Sequence, residues 1–188
     1  MAHAKPRSTP LGNQLKLSKA QSPKTEKDKE QMAKVPYASA VGSLMYAMVC
    51  TRTDIAQAVG VISRFMSNPG KDHWEGVKWL LRYLKGTSDV CLVYRKKEAV
   101  LEGFADVNLG GCEDSVKSTT GFVFTIGGTS ISRTKHIQVR YHFIRELITD
   151  GMVNLQKILG TKNPADMFTK VVTTAKLRLC MALTGLPD

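Results

Sequence analysis

Acidic residues are scarce in this chain. Asp and Glu number 16 against 27 Lys and Arg, a formal charge of +11 over 188 residues. That imbalance favours polyanion partners, nucleic acid first, with a merely solvated basic surface as the plain alternative. Cysteine is also sparse. Cys50, Cys91, Cys112 and Cys180 lie far apart and form no CxxC pair, so neither a zinc site nor a disulfide framework is expected. Such usage suits an intracellular, reducing compartment, cytoplasm or nucleus. Long apolar runs are missing too. VPYASAVGSLMYAMVC, at 35–50, falls short of the roughly 20 residues a membrane span needs, so no membrane partner is expected. The stretch MAHAKPRSTPLGNQLKLSKA lacks the apolar core of a signal peptide. No internal repeat is visible, and Gly127-Gly128 is a turn signal, too little for a phosphate loop.

What is present suits one ordinary domain with a core: 43% of residues are hydrophobic. Residues 1–34 carry eight Lys or Arg against Glu26, Asp28 and Glu30, with few large apolar side chains. They read as a flexible basic arm. From Pro36 the pattern turns helical. Tyr37, Val41, Leu44, Met45 and Met48 predict one helix. Thr51–Asp54 reads as a capping-type break before Ile55, Val59, Ile62 and Met66, and Asn68-Pro69-Gly70 as a stop. A third helix runs through Trp74, Val77, Trp79, Leu80, Leu81, Tyr83 and Leu84 and ends near Gly86. The period then shifts to two. Strands are expected at 90–94, 100–107, 120–126 and 129–132, the last two forming a hairpin. A helix from Thr134 to Ile148, a strand at 153–159, a helix opened by Asn163-Pro164 and a last amphipathic segment at 175–183 follow. The order is mixed α/β, and periodicity alone does not name the fold.

Motifs do. VPYASAVGSLMYAMVCTRTDIAQAVGVISRFMSNPG, HWEGVKWLLRYLKGT, KSTTGFVF, RTKHIQVRYHFIRE and NPADMFTK occur in this order. They resemble the connection segment and ribonuclease H region of copia-type retrotransposon Pol polyproteins. The resemblance covers nearly everything from about Lys5 to about Cys180. It implies a helical connection segment at 35–88. A ribonuclease H-like domain would follow, its first strands at 89–132 and its C-terminal helix–strand–helix part at 133–188. In that family a long stretch separates the segment ending at Ser132 from the one starting at Arg133, and it carries half of the metal-binding carboxylates. Here the two adjoin. The fold expected is therefore a truncated ribonuclease H-like one, with a small mixed sheet of four or five strands after a helical layer. Phe122, Phe124 and Ile126 would stand exposed unless the helix from Thr134 covers them.

The family's activity is cleavage of the RNA strand in RNA–DNA hybrids, using two Mg²⁺ or Mn²⁺ ions held by converging carboxylates. Carried over by position, Asp106 matches the first carboxylate and Asp166 the last. These are the candidate catalytic and metal-binding residues, and the other two ligands have no counterpart. Asn108, Cys112, Val116, Thr53 and Gln138 also depart from the family's pattern. Taken alone, Asp106 is an acid at a strand end and Asp166 an acid favoured in a first helical turn. Candidate nucleic-acid contacts are Lys117, Ser118 and Thr119 at a turn and Arg133, Lys135 and Arg140 in a basic run, with a polar turn and a solvated helix face as the plainer readings. His136 and His142, six apart, do not share a helix face and make no metal pair. His73 reads as structural. Trp74, Trp79 and Tyr83 could stack bases, though their spacing suits core packing better. The expectation is a degenerate polyprotein fragment without catalysis and with no cofactor as it stands. Its possible partner is an RNA–DNA hybrid or other nucleic acid, and no small-molecule substrate is expected. An RNA message with a longer insert between the codons of Ser132 and Arg133 would restore the enzyme reading.

Overall fold

A computed structural model describes residues 4–94, 100–108, 119–131, 149, 151–152 and 154–186. In chain order the elements are α1 (Glu26–Ala33), α2 (Tyr37–Cys50), α3 (Ala56–Ser63), α4 (Lys71–Gly86), β1 (Leu101–Asn108), β2 (Thr119–Ile126), β3 (Thr129–Ile131), α5 (Asp166–Thr169) and α6 (Thr174–Leu183). The chain is mixed α/β, as expected. The predicted helix at 134–148 and the Ser132–Arg133 junction lie outside the described residues.

The helical layer follows the apolar spacing. α2 buries Tyr37, Val41 and Leu44, α3 buries Ala58, Val59 and Ile62, and α4 buries Val77, Leu80 and Tyr83. These faces meet in one cluster, because a helix with an apolar stripe must cover it with another element. The C-terminal segment enters the same cluster. Met167, Leu177, Cys180, Met181 and Leu186 all pack into it. Residues far apart in sequence thus share one core.

The expected flexible arm is corrected. Residues 4–22 form an extended strap laid antiparallel along α4. Lys85 Nζ donates to the Ala4 carbonyl (3.0 Å), Trp79 Nε1 to the Thr9 carbonyl (2.9 Å), and His73 Nε2 lies 3.0 Å from the Ser18 carbonyl. Leu11 is buried in the core cluster and Met32 of α1 is buried as well. A few well-placed apolar residues and side-chain donors from α4 are enough to order a segment whose composition is polar. Gly70 is required where the strap crosses, since a Cβ there would collide with the Gln21 carbonyl.

The Thr51–Asp54 break is also more than a cap. Thr53–Ile55 is a 3₁₀ turn with no side-chain cap. Arg52 and Asp54 are 7% and 1% exposed and form a bidentate pair, Nε to Oδ1 at 2.9 Å and Nη2 to Oδ2 at 2.8 Å. Arg52 also donates to the Thr87 carbonyl (2.9 Å) and hydroxyl (2.7 Å), and Tyr83 donates to Asp54 Oδ2 (2.6 Å). The turn after α2 is thereby tied to the end of α4.

Among the described residues the sheet has three antiparallel strands in the order β1-β2-β3, not four or five in a mixed arrangement. Residues 90–94 do not form a ladder. Instead Val93 N–H donates to the Gly185 carbonyl (2.8 Å) and Thr129 Oγ1 to the Val93 carbonyl (2.7 Å). Ser130 N–H donates to the Thr184 carbonyl (2.9 Å), so the chain after α6 caps the outer strand where a further strand was expected. Residues 154–159 are irregular. Phe122, Phe124 and Ile126 are exposed, at 53%, 37% and 46%. No helix among the described residues is long and apolar enough to cross a membrane.

Two buried phenols give the fold a pH dependence. Burial pushes Tyr37 up to about 12, and burial followed by the nearby Asp54 carboxylate pushes Tyr83 higher. Unfolded phenols ionise near pH ~10, so below that both states keep the proton and the full stability is present. Above it the unfolded chain ionises first, and stability is lost as pH rises from about 10 towards 12. For Tyr37 the rise corresponds to about 3 kcal/mol. Thermal denaturation should show a flat midpoint from pH 7 to about 9.5 and a steep fall beyond, less steep in Tyr37→Phe; a midpoint unchanged at about pH 11 contradicts this.

Candidate functional site

Asp106 and Asp166, 60 positions apart in sequence, are brought together. Alternation along β1 puts Phe104, Asp106 and Asn108 on one face, and the register places Asp106 opposite Gly121. On this face α5 lies against the sheet. A Cβ on Gly121 would come within 2.7 Å of Phe168 Cβ and 2.8 Å of Thr169 Cγ2, so a glycine is needed for so close an approach. Asn163 fixes the entry to α5. Its side-chain oxygen accepts from Ala165 N–H (3.0 Å) while its Nδ2 donates to the Ala105 carbonyl on β1 (2.9 Å). At the far end Asn108 Nδ2 donates to the Thr169 carbonyl (3.3 Å).

Asp166 and Thr169 fall at i and i+3 on one face of α5, and Lys170 is the extended residue that ends the helix. Thr169 Oγ1 donates to Asp106 Oδ2. The Lys170 ammonium lies between the carboxylates, 3.0 Å from Asp166 Oδ1 and 3.6 Å from Asp106 Oδ2. Asp166 Oδ1 is buried and makes no well-directed hydrogen bond, so its contact with Lys170 is an ion pair. Lys176, from α6, sits 3.4 Å from Asp166 Oδ2 and donates to the Gly160 and Thr161 carbonyls, each at 2.7 Å. The ion pair with Asp166 holds the Lys170 ammonium above its ordinary value. Lys170 is 45% exposed, so solvent screens much of that gain.

This arrangement does not fit a pair of divalent cations. Two ammonium groups already balance two carboxylates, and a cation entering between them would have to displace Lys170. Among the described residues no group of three or more His, Cys, Asp and Glu side chains could hold a metal ion. Two carboxylates give too few oxygens for the shell Mg²⁺ demands, let alone for two ions.

Of the proposed nucleic-acid contacts, Thr119 opens β2 opposite Asn108, on the same sheet face as Asp106. Lys117, Ser118, Arg133, Lys135 and Arg140 lie outside the described residues, as do Cys112, Val116, Gln138, His136 and His142. Tyr83 is a core residue (1% exposed), while Trp74 and Trp79 are half-buried. His73 is structural: its ring stacks on Phe65 at 3.9 Å and its Nδ1 accepts from Gly70 N–H (2.8 Å). Missed at the sequence level were Lys170 and Lys176. The i, i+4 spacing from Asp166 could have exposed the first; nothing local points to the second.

An α/β chain with paired acids closed by lysines is thus defined by its fold and site. The chain is similar to the retrovirus-related Pol polyprotein from transposon TNT 1-94 of Nicotiana tabacum, 43% identical over 251 residues. That match covers 99% of this chain and 19% of the relative, so the chain spans about a fifth of that protein's length. The 251-residue span exceeds the chain's 188 by 63, so the relative has at least that many positions without counterpart here. A similar polyprotein, from transposon RE2 of Arabidopsis thaliana, is 35% identical over 133 residues, 70% of this chain and 9% of the relative. Secreted RxLR effector protein 161 of Plasmopara viticola is 45% identical over 102 residues, 54% of this chain and 72% of that protein. No protein-family model and no solved structure matches the chain. The chain belongs to the family of retrovirus-related Pol polyproteins of transposons.

Proposed function

We propose that this chain is a copia-type Pol remnant whose ribonuclease H-like part no longer cleaves RNA in RNA–DNA hybrids. The supporting observation is the state of the two remaining acids. Asp106 and Asp166 share the Lys170 ammonium and Lys176 pairs with Asp166, so lysines already balance both acids. The positions that the tobacco relative has in excess are consistent with loss of the stretch carrying the other ligands. A labelled RNA–DNA hybrid incubated with the purified chain and Mg²⁺ or Mn²⁺ tests this. No cleavage above the rate of an Asp106→Asn variant is expected. Cleavage that Asp106→Asn abolishes would overturn the reading.

A second reading is favoured by one observation, the +11 charge. The remnant then serves as a basic nucleic-acid-binding module without chemistry. Phosphate neutralisation gives such binding a steep salt dependence.

A further inference from the structure

We propose that the strap at residues 4–22 and the outer face of α4 form a docking surface for a nucleic-acid backbone, centred on Trp79 and the two guanidinium groups against it. The proposal rests on the nucleic-acid-binding reading above and places that binding away from the carboxylate site, whether or not that site is active. Lys71, Lys78, Arg82 and Lys85 fall at i, i+7, i+11 and i+14, which places them in one stripe along α4. The helix is 16 residues long, so the stripe runs for about 20 Å, a length suited to several phosphates and not to one small anion. The strap adds Lys5, Arg7, Lys16 and Lys19, and residues 4–22 contain no acid.

The two ends of the stripe differ. Near the start of α4, Lys71 pairs with Asp28 and Lys78 with Glu75. Near its end, Arg7 lies 4.1 Å from the centre of the Trp79 ring and Arg82 lies 5.7 Å from it. Neither arginine forms an ion pair among the described residues. Arg82 commits one donor, Nε to the Lys78 carbonyl at 3.3 Å. Glu75, one turn before Trp79, is already paired with Lys78, and Asp89, beyond the helix, accepts from Ser88. Two like charges held against one indole repel each other; the ring orients them, and an anion would relieve the repulsion. Planar guanidinium groups match phosphate oxygens two at a time. The hydrogen bonds from Lys85 and Trp79 to the strap keep Arg7 in place, so the surface is preformed.

Trp79 provides a local reporter. In a Trp74→Phe background it is the sole tryptophan, and a 20-base-pair RNA–DNA hybrid at 50 mM salt is the probe. Its emission should change saturably on addition of the hybrid. Arg7→Gln with Arg82→Gln should weaken binding about tenfold and reduce the log–log salt slope by about two. Circular dichroism of the double variant should match the parent, since Arg7 is exposed and Arg82 only half-buried. The proposal is overturned by absence of binding, by binding without a Trp79 signal, by an unchanged salt slope in the double variant, or by equal affinity for poly-glutamate. Absence of binding would sink the nucleic-acid-binding reading as well, whereas binding without a Trp79 signal or with an unchanged salt slope would sink this surface alone.

Discussion

Replacing Asp54 with alanine should destabilise the chain by about 3–5 kcal/mol, because it leaves a buried guanidinium without its partner. Arg52 is 7% exposed, and both of its contacts to Asp54 are short. The lost carboxylate also takes away the acceptor 2.6 Å from the Tyr83 hydroxyl, which keeps the Met181 sulfur at 3.7 Å. Domains of this size have a total stability of about 5–15 kcal/mol, so the variant should sit close to unfolding at 25 °C. Urea denaturation followed by circular dichroism checks the number. Tyr83→Phe removes one hydrogen bond and keeps the ion pair, so it should cost only about 1–2 kcal/mol. If Asp54→Ala costs less than Tyr83→Phe, the network is not what ties α2 to α4.

The second large effect belongs to His73. Its ring is wholly buried, its Nδ1 accepts from Gly70 N–H, and its Nε2 faces the Ser18 carbonyl. Alanine there leaves the buried Gly70 N–H unpaired, takes one of two donors from the Ser18 carbonyl and opens a void against Phe65, together about 3–4 kcal/mol. The loss should be local as well as global. Trypsin should cut at Lys16 and Lys19 well before any site in α4, because the ring holds the strap to the helix. Equal cleavage rates in His73→Ala and the parent chain would contradict this.

How much of this could be read from the sequence depends on the range of the interaction. The helices at 37–50, 56–63 and 71–86 announce themselves because burial repeats every three or four residues. The hairpin at 119–131 does so through β-branched alternation ending at Gly127-Gly128. The strap did not, since its order comes from groups on α4 that lie 55 to 81 positions away. Arg52 and Asp54 looked like a cap for the same reason: their partners Tyr83 and Thr87 are about 30 residues downstream. The two carboxylates were singled out through motif order, not physics; that they share the Lys170 ammonium is a tertiary contact no local pattern gives. Lys170, four residues after Asp166, left a local spacing that was overlooked, whereas the Lys176 contact from α6 leaves no local pattern.

The central claim is that these two acids are already neutralised and cannot grip paired cations. Titration of the purified chain with Mn²⁺, followed by electron paramagnetic resonance of the free ion, addresses it directly. The account predicts no saturable uptake in the micromolar range and the same curve for Asp106→Asn. Two ions taken up tightly per chain, and lost in that variant, would contradict it.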